Sequence, residues 1–195
     1  KSIILNHRMI PMRNRKKTLE VTIEEMRNFS FSYIQKYAPS KQQLRTYLLK
    51  KYLKASVPNI KKQDITDLID IVLVDLEKSK FISDKFYSES KSRSLIQRGS
   101  SINKIRSYLI GKGINDNYIK DTIDKIKEKN SDQDFFSGIK ICKKKRIGPA
   151  RIEDNRSLFY KKDISLLARN GFDFETSKKI MDMKKDDYIK IIKLL

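Results

Sequence analysis

The chain has 195 residues, of which 38% are hydrophobic and 35% charged, with only six glycines and four prolines, and this composition favours helix over sheet. No apolar run approaches the roughly 18 residues that a membrane span needs, and one cysteine with one histidine excludes both an internal disulfide and a zinc site. The formal net charge of +20 indicates a polyanionic or acidic partner. A lysine-rich genome is the alternative explanation for the total charge.

The N-terminal region is predicted to be a basic, flexible arm over residues 1–21, because its Arg and Lys residues all precede the first acid, Glu20. Helix signals begin at Thr22, whose distance from Glu25 is that of a capping box. Pro39 is expected to end this first helix.

Two more helices are predicted within the first unit, residues 22–80. Ser40 is a suitable N-cap for one of them, and the helical spacing of apolar residues from Ile65 to Leu76 indicates the other. A loop carrying Pro58 separates the two, so the region predicts a three-helix unit.

Residues 81–130 repeat this pattern, and each of their three helices has a candidate capping residue. The candidates are, in chain order, Ser83 or Asp84, Ser100 or Ser101, and Asn115 or Asp116. Gly113 suits the left-handed residue that ends a helix, and Gly171 has the same role later. A looser third unit is predicted over residues 131–195, with an extra C-terminal helix.

An internal repeat ties these units together. The segment 44–53 lies 61 positions before the similar segment 105–114, and a fainter copy covers 163–172. Such a period predicts an all-α fold built as an elongated tandem array of three three-helix repeats with helix-turn-helix-like units. The matching residues Leu48, Leu109 and Leu167 are expected to be buried.

Charge is distributed by helix. No Asp or Glu occurs in residues 26–63, 90–115 or 135–152, whereas acids gather on the third helix of each of the first two units. Lysine enrichment alone would not leave such windows at matching places, so we predict a basic binding face. Its candidate residues are Lys41, Arg45, Lys50, Lys51, Arg93, Arg98, Lys104, Arg106, Lys112, Lys143, Lys144, Lys145 and Arg146.

Catalytic motifs are absent from the sequence. His7, the single histidine, lies in the predicted arm, and the basic neighbours of Cys142 would lower the pKa of its thiol, although a structural cysteine is the favoured interpretation. The helix after Gly113 is acidic, which argues against sequence-specific reading of a DNA groove. We expect a binding protein without enzymatic activity and without a cofactor.

Three stretches resemble the RecX regulatory proteins, which are bacterial modulators of the RecA recombinase. They are Phe81-Ile82-Ser83-Asp84-Lys85-Phe86-Tyr87 with the later Arg98-Gly99, then Ile105-Arg106-x-x-Leu109-x-x-Lys112-Gly113-Ile114, and Tyr37-Ala38-Pro39-Ser40-Lys41. The sequence departs from the family pattern where Ser88 replaces the usual Ala and where Tyr52 and an insertion at 54–63 replace a tight Lys-Gly turn. The resemblance is to the alphaproteobacterial type.

This resemblance implies a curved array that lies in the groove of the RecA–DNA filament and restrains its activity, within recombination, DNA repair and the SOS response. The single cysteine predicts a cytoplasmic protein, and the absence of a long apolar run predicts no membrane contact. We also expect a monomer that could touch single- or double-stranded DNA. The residues themselves leave open a second function, general nucleic-acid binding without sequence specificity, because clustered Lys and Arg suffice for contact with phosphates.

Overall fold

The computed structural model describes residues 19–55 and 60–195, and all regular structure in these ranges is helical, which confirms the predicted all-α class for this part of the chain. The helices are α1 (Ile23–Tyr37), α2 (Lys41–Lys54), α3 (Lys62–Lys78), α4 (Asp84–Gln97), α5 (Ile102–Gly111), α6 (Asp116–Lys129), α7 (Gln133–Lys145), α8 (Arg156–Arg169), α9 (Phe174–Met181) and α10 (Lys185–Leu194). Most of the predicted arm, and Pro58, lie outside the described residues.

The predicted capping residues begin the helices. A side-chain oxygen of each accepts a hydrogen bond from a backbone N–H in the first helical turn, at Thr22, Ser40, Ser83, Ser101 and Asn115. Ser40 also forms a reciprocal capping box with Gln43. The starts of these five helices therefore follow from the local sequence.

Three hydrophobic clusters are drawn from consecutive parts of the chain. One lies among α1–α3, which we call the first triplet, a second among α4–α6, the second triplet, and a third among α7–α10, the third group. The recurring residues Leu48, Leu109 and Leu167 are each 0% exposed, as the repeat predicts. Each cluster thus contains one copy of the same buried position.

Matching hydrogen bonds join each cluster to the next. The Oγ of Ser40, at the start of α2, donates to the carbonyl of Lys112 at the end of α5, at 2.8 Å. The Oγ of Ser101, at the start of α5, donates to the carbonyl of Asn170 at the end of α8, also at 2.8 Å. These serines also cap their own helices, so one side chain serves two helix ends.

An aspartate completes each junction. The backbone N–H of Lys41 donates to Oδ1 of Asp84 at 2.9 Å, and the N–H of Ile102 donates to Oδ1 of Asp134 at 2.7 Å. In both cases the carboxylate belongs to the first helix of the following cluster and satisfies an amide that α2 or α5 leaves free at its N-terminus. Burial raises the pKa of both carboxyl groups, against the backbone hydrogen bonds that lower it.

The predicted helix-ending glycines lie at the same junctions. Gly113 and Gly171 have φ of +71° and +86°, in the left-handed region. A Cβ at Gly113 would lie 2.6 Å from the side chain of Gln42, and one at Gly171 would lie 2.6 Å from Oγ of Ser101. Both the backbone conformation and the close approach of α2 or α5 require glycine.

None of the helices within the described ranges is both long and apolar enough to cross a membrane.

Candidate binding surface

Two predicted binding residues of the first triplet, Arg45 and Lys41, pair with acids of α3. The guanidinium of Arg45 donates to both carboxylate oxygens of Asp70, at 2.7 and 2.9 Å. This bond lowers the pKa of the Asp70 carboxyl, although partial burial opposes it. Lys41 pairs with Glu77 of the same helix, so two predicted binding residues already have a carboxylate partner.

Lys50 and Lys51 complete the predicted residues of α2. Lys50 is exposed, whereas Nζ of Lys51 lies 3.7 Å from the ring centroid of Phe29. A lysine held over an aromatic face keeps its charge but loses freedom to reach a ligand. Lys50 is therefore the more accessible of the two.

Arg106 differs from Arg45, which holds the same position in the repeat. Arg106 is exposed, and no carboxylate within the described ranges forms an ion pair with it. The matching of apolar residues between α3 and α6 places Lys120 where α3 has Asp70. Without that acid, the guanidinium of Arg106 is available to a partner.

Arg93 and Arg98 of the second triplet are also exposed and form no ion pair with a described carboxylate. Lys104 and Lys112 are engaged more weakly: Nζ of Lys104 donates to the side-chain oxygen of Asn170 at 2.9 Å, and Nζ of Lys112 lies 5.3 Å from the ring centroid of Tyr108. Both lysines keep their charge uncompensated, which leaves the second triplet more basic at its surface than the first.

The remaining candidates follow one another at the end of α7. Lys143, Lys144, Lys145 and Arg146 are all exposed, and Arg146 ends the helix in the left-handed conformation with φ of +54°. Because cations are favoured at the C-terminus of a helix, this cluster also suits the helix dipole. Its charge therefore has a local structural benefit beside any binding role.

The structure brings some of the candidates together and separates others. Arg93 lines a cleft between α4, α6 and α7, and Lys143 and Lys144 line an adjoining cleft, with Gln97 common to both. The α2 and α5 residues do not line these clefts. The basic residues thus form at least two groups rather than one stripe.

Sequence reasoning missed three lysines that also line the two clefts, Lys125 and Lys129 of α6 and Lys140 of α7. The predicted binding face was drawn from the acid-free stretches of the sequence, and these leave out α6 because it carries acids. The i, i+4 spacing of Lys125 and Lys129 with Ile126 between them was the available signal, because it puts the two lysines on one side of the helix.

Tyr47 and Tyr108, which share a repeat position, pack against other tyrosines. The ring of Tyr47 stacks on that of Tyr33 with centroids 4.1 Å apart. The hydroxyl of Tyr108 lies 3.3 Å from the hydroxyl of Tyr87. Both rings are half-buried, so these tyrosines contribute to packing.

The expectation that basic neighbours lower the pKa of Cys142 is wrong. The side chain is 0% exposed, and burial, with a smaller contribution from the charge of Asp163, raises the pKa of its thiol to about 12. The adjacent lysines point to solvent instead. No group of three or more His, Cys, Asp or Glu residues suited to a metal ion occurs in the described part of the chain.

The chain is 27% identical over 177 residues to a protein described as "Regulatory protein RecX" from Myxococcus xanthus (strain DK1622), in an alignment that covers 87% of this chain and 91% of that protein. This likeness supports a relationship between the chain and the RecX family. It confirms the RecX resemblance read from the sequence, while the alphaproteobacterial type stays a prediction. No protein-family model and no solved structure matches the chain.

Proposed function

We propose that this protein regulates a RecA recombinase by binding the RecA–DNA filament, and that its effect is inhibitory. The observation that carries the proposal is the likeness to a regulatory protein RecX across 87% of the chain. The exposed cations of the second triplet and third group support it, because they offer a basic surface to an anionic partner.

The same proposal includes the architecture: an elongated, curved array of three three-helix repeats over 22–80, 81–130 and 131–195, present as a cytoplasmic monomer. Its support is the pair of matching junctions, in which Ser40 with Asp84 and Ser101 with Asp134 make equivalent hydrogen bonds. A repeated junction extends the chain in one direction, as in other repeat proteins.

General nucleic-acid binding is the second candidate function, and the net charge of +20 favours it. The two functions differ in partner. A filament regulator binds RecA on DNA more tightly than bare DNA at physiological salt, whereas a general binder holds bare DNA as well and loses affinity steeply as salt rises.

Co-sedimentation with the host RecA, with and without single-stranded DNA, tests the proposal. We expect the protein to pellet with RecA–DNA filaments at physiological salt, and sub-stoichiometric amounts to slow RecA-dependent strand exchange. Equal binding to bare DNA and to filaments would favour the second candidate. Pelleting with neither would refute both.

Charge reversal tests the binding face. Replacing Arg98 and Arg106 by Glu should weaken filament binding by about tenfold or more, roughly 1.4 kcal/mol. The opposite reversal of the exposed acids Asp121 and Asp124 to Lys should leave it nearly unchanged. Binding should also fall with salt, since exposed charges are screened within about 10 Å at 0.1 M. Similar losses from both pairs would show that filament binding does not depend on the basic face.

A further inference from the structure

A cleft of about 620 Å³ opens between α4, α6 and α7, where the second triplet meets the third group. Its volume is in the range of sites that hold a small molecule or a short peptide segment. Most of its wall comes from one side of α4 and the C-terminal half of α6. Because α4 and α6 both belong to the second triplet, the cleft is a stable part of the fold.

The charges in this cleft favour an anionic ligand. Arg93, Lys125 and Lys129 line it beside a single carboxylate, Glu89, to which Nζ of Lys125 donates at 2.6 Å. The bond from Lys125 lowers the pKa of Glu89 against the effect of burial, and the charges of Lys125, Lys85 and Arg93 lower it further. The cleft therefore already stabilises one carboxylate and has cations left for others.

The uncharged groups of the cleft match a peptide. Ile96 and Ile126 supply apolar surface, and the side-chain amides of Gln97 and Asn130 can pair with a peptide backbone. Ser92 is 1% exposed, and none of the described residues bonds to its Oγ. Because this Oγ is buried, the hydroxyl of Ser92 is not accessible to a ligand in the cleft.

The adjoining cleft continues the basic surface along α7. It measures about 530 Å³, shares Gln97 with the first, and adds Lys140, Lys143 and Lys144 together with Ile192 and Leu195. The lining residues of α4, from Glu89 to Gln97, cover about 12 Å at 1.5 Å per residue. This length matches about four residues of extended chain at about 3.3 Å each.

We propose that this double cleft binds an acidic peptide segment of a partner protein, with apolar side chains against Ile96 and Ile126 and carboxylates facing Arg93, Lys129 and the α7 lysines. None of the described residues lining either cleft is aromatic, so single-stranded nucleic acid finds no ring on which to stack its bases. The site goes beyond the proposed function, because it does not depend on RecA as the partner.

Fluorescence anisotropy with labelled octapeptides tests the site. The probes are four Glu-Leu repeats, the same length of Glu-Ser repeats, Lys-Leu repeats, and an eight-nucleotide oligothymidylate. We expect Glu-Leu to bind most tightly, Glu-Ser about fivefold or more weaker for lack of apolar contact, and Lys-Leu not at all. Tighter binding of the oligothymidylate, or equal binding of Glu-Leu and Glu-Ser, would overturn the proposal.

Paired variants locate the site. Arg93→Glu with Lys129→Glu should weaken Glu-Leu binding at least tenfold, whereas Lys161→Glu with Lys178→Glu, exposed lysines outside both clefts, changes net charge equally and should cost less than twofold. Equal losses of affinity in the two double variants would show that the peptide responds to net charge alone. If the Glu variant unfolds, Arg93→Gln with Lys129→Gln tests the same contacts.

A filament co-sedimentation of Lys129→Glu with Lys140→Glu, a cleft variant outside the proposed filament-binding face, separates the two proposals. Loss of peptide binding with normal filament binding would support the cleft as an independent site. Normal peptide binding in the cleft variant would overturn the cleft, whatever the filament result.

Discussion

The first and second triplets share a helix order and a recurring buried leucine, but they treat their basic residues differently. In the first, Arg27, Lys41 and Arg45 each pair with a carboxylate of α3. In the second, one pair joins Lys125 of α6 to Glu89 of α4. Burial therefore follows position in the repeat, whereas the availability of a cation depends on whether the facing helix supplies an acid.

The largest effect should come from the core, where the two triplets agree. Leu48→Ala and Leu109→Ala should each lower the free energy of unfolding by about 2–5 kcal/mol, because both side chains are fully buried and their removal leaves a cavity. Urea denaturation measures both. Ile110→Ala, beside Leu109 but 56% exposed, is the control and should stay within about 0.5 kcal/mol. A small loss at Leu109 would contradict the equivalence of the two cores.

Charge reversal at one repeat position should separate the triplets. Arg106→Glu should weaken filament binding about tenfold, or roughly 1.4 kcal/mol, because its guanidinium has no competing acid. Arg45→Glu should weaken it less than about threefold, since Asp70 already neutralises that cation. Surface plasmon resonance on immobilised filaments gives both affinities. A greater loss at Arg45 would reverse the comparison.

A smaller effect concerns acid stability. The folded-state pKa of the Asp70 carboxyl is lowered, so its contact with Arg45 stabilises the fold above about pH 4. This stabilisation is lost as the pH falls through the folded-state pKa. Asp70→Asn should therefore flatten the fall of Tm below about pH 4. The change is modest because the pair is partly exposed. Lys120→Gln, at the matching position of α6, is the control and should leave the slope unaltered.

The smallest effect on filament binding is expected at Cys142. With the pKa of its thiol raised to about 12, the thiolate is scarce at neutral pH, so alkylation by iodoacetamide should be at least on the order of 1000-fold slower than in the unfolded chain. Mass spectrometry with and without denaturant measures the two rates. Cys142→Ala should leave filament binding unchanged. Rapid alkylation of the folded protein would contradict the buried placement.

Local signals predicted the helices well. Ser40, Ser83 and Ser101 cap helices as expected, since an N-cap bond involves only residues three apart. The apolar repeat also predicted Leu48 and Leu109 as core residues, because burial in a helix follows its period.

The pairing of charges could not be predicted in the same way. Arg45 and Asp70 are 25 residues apart, and their contact depends on how α2 lies on α3. Likewise Cys142 has basic sequence neighbours, yet its own side chain faces the core. The double cleft was missed for the same reason, since α4, α6 and α7 contribute to it from separate parts of the chain.

The shared serine caps also bear on how the chain is made. At the start of α2 the N–H of Lys41 donates to Asp84 and the hydroxyl of Ser40 donates to the carbonyl of Lys112, and both acceptors follow α3 in the sequence. During translation the first triplet therefore leaves the ribosome before the groups that complete it exist. A ribosome that stalls after α3 therefore releases a first triplet whose α2 keeps its own capping box but lacks the partners of the Lys41 N–H and the Ser40 hydroxyl. Loss of C-terminal sequence thus damages the part that precedes it, whereas loss of N-terminal sequence leaves the later junction whole.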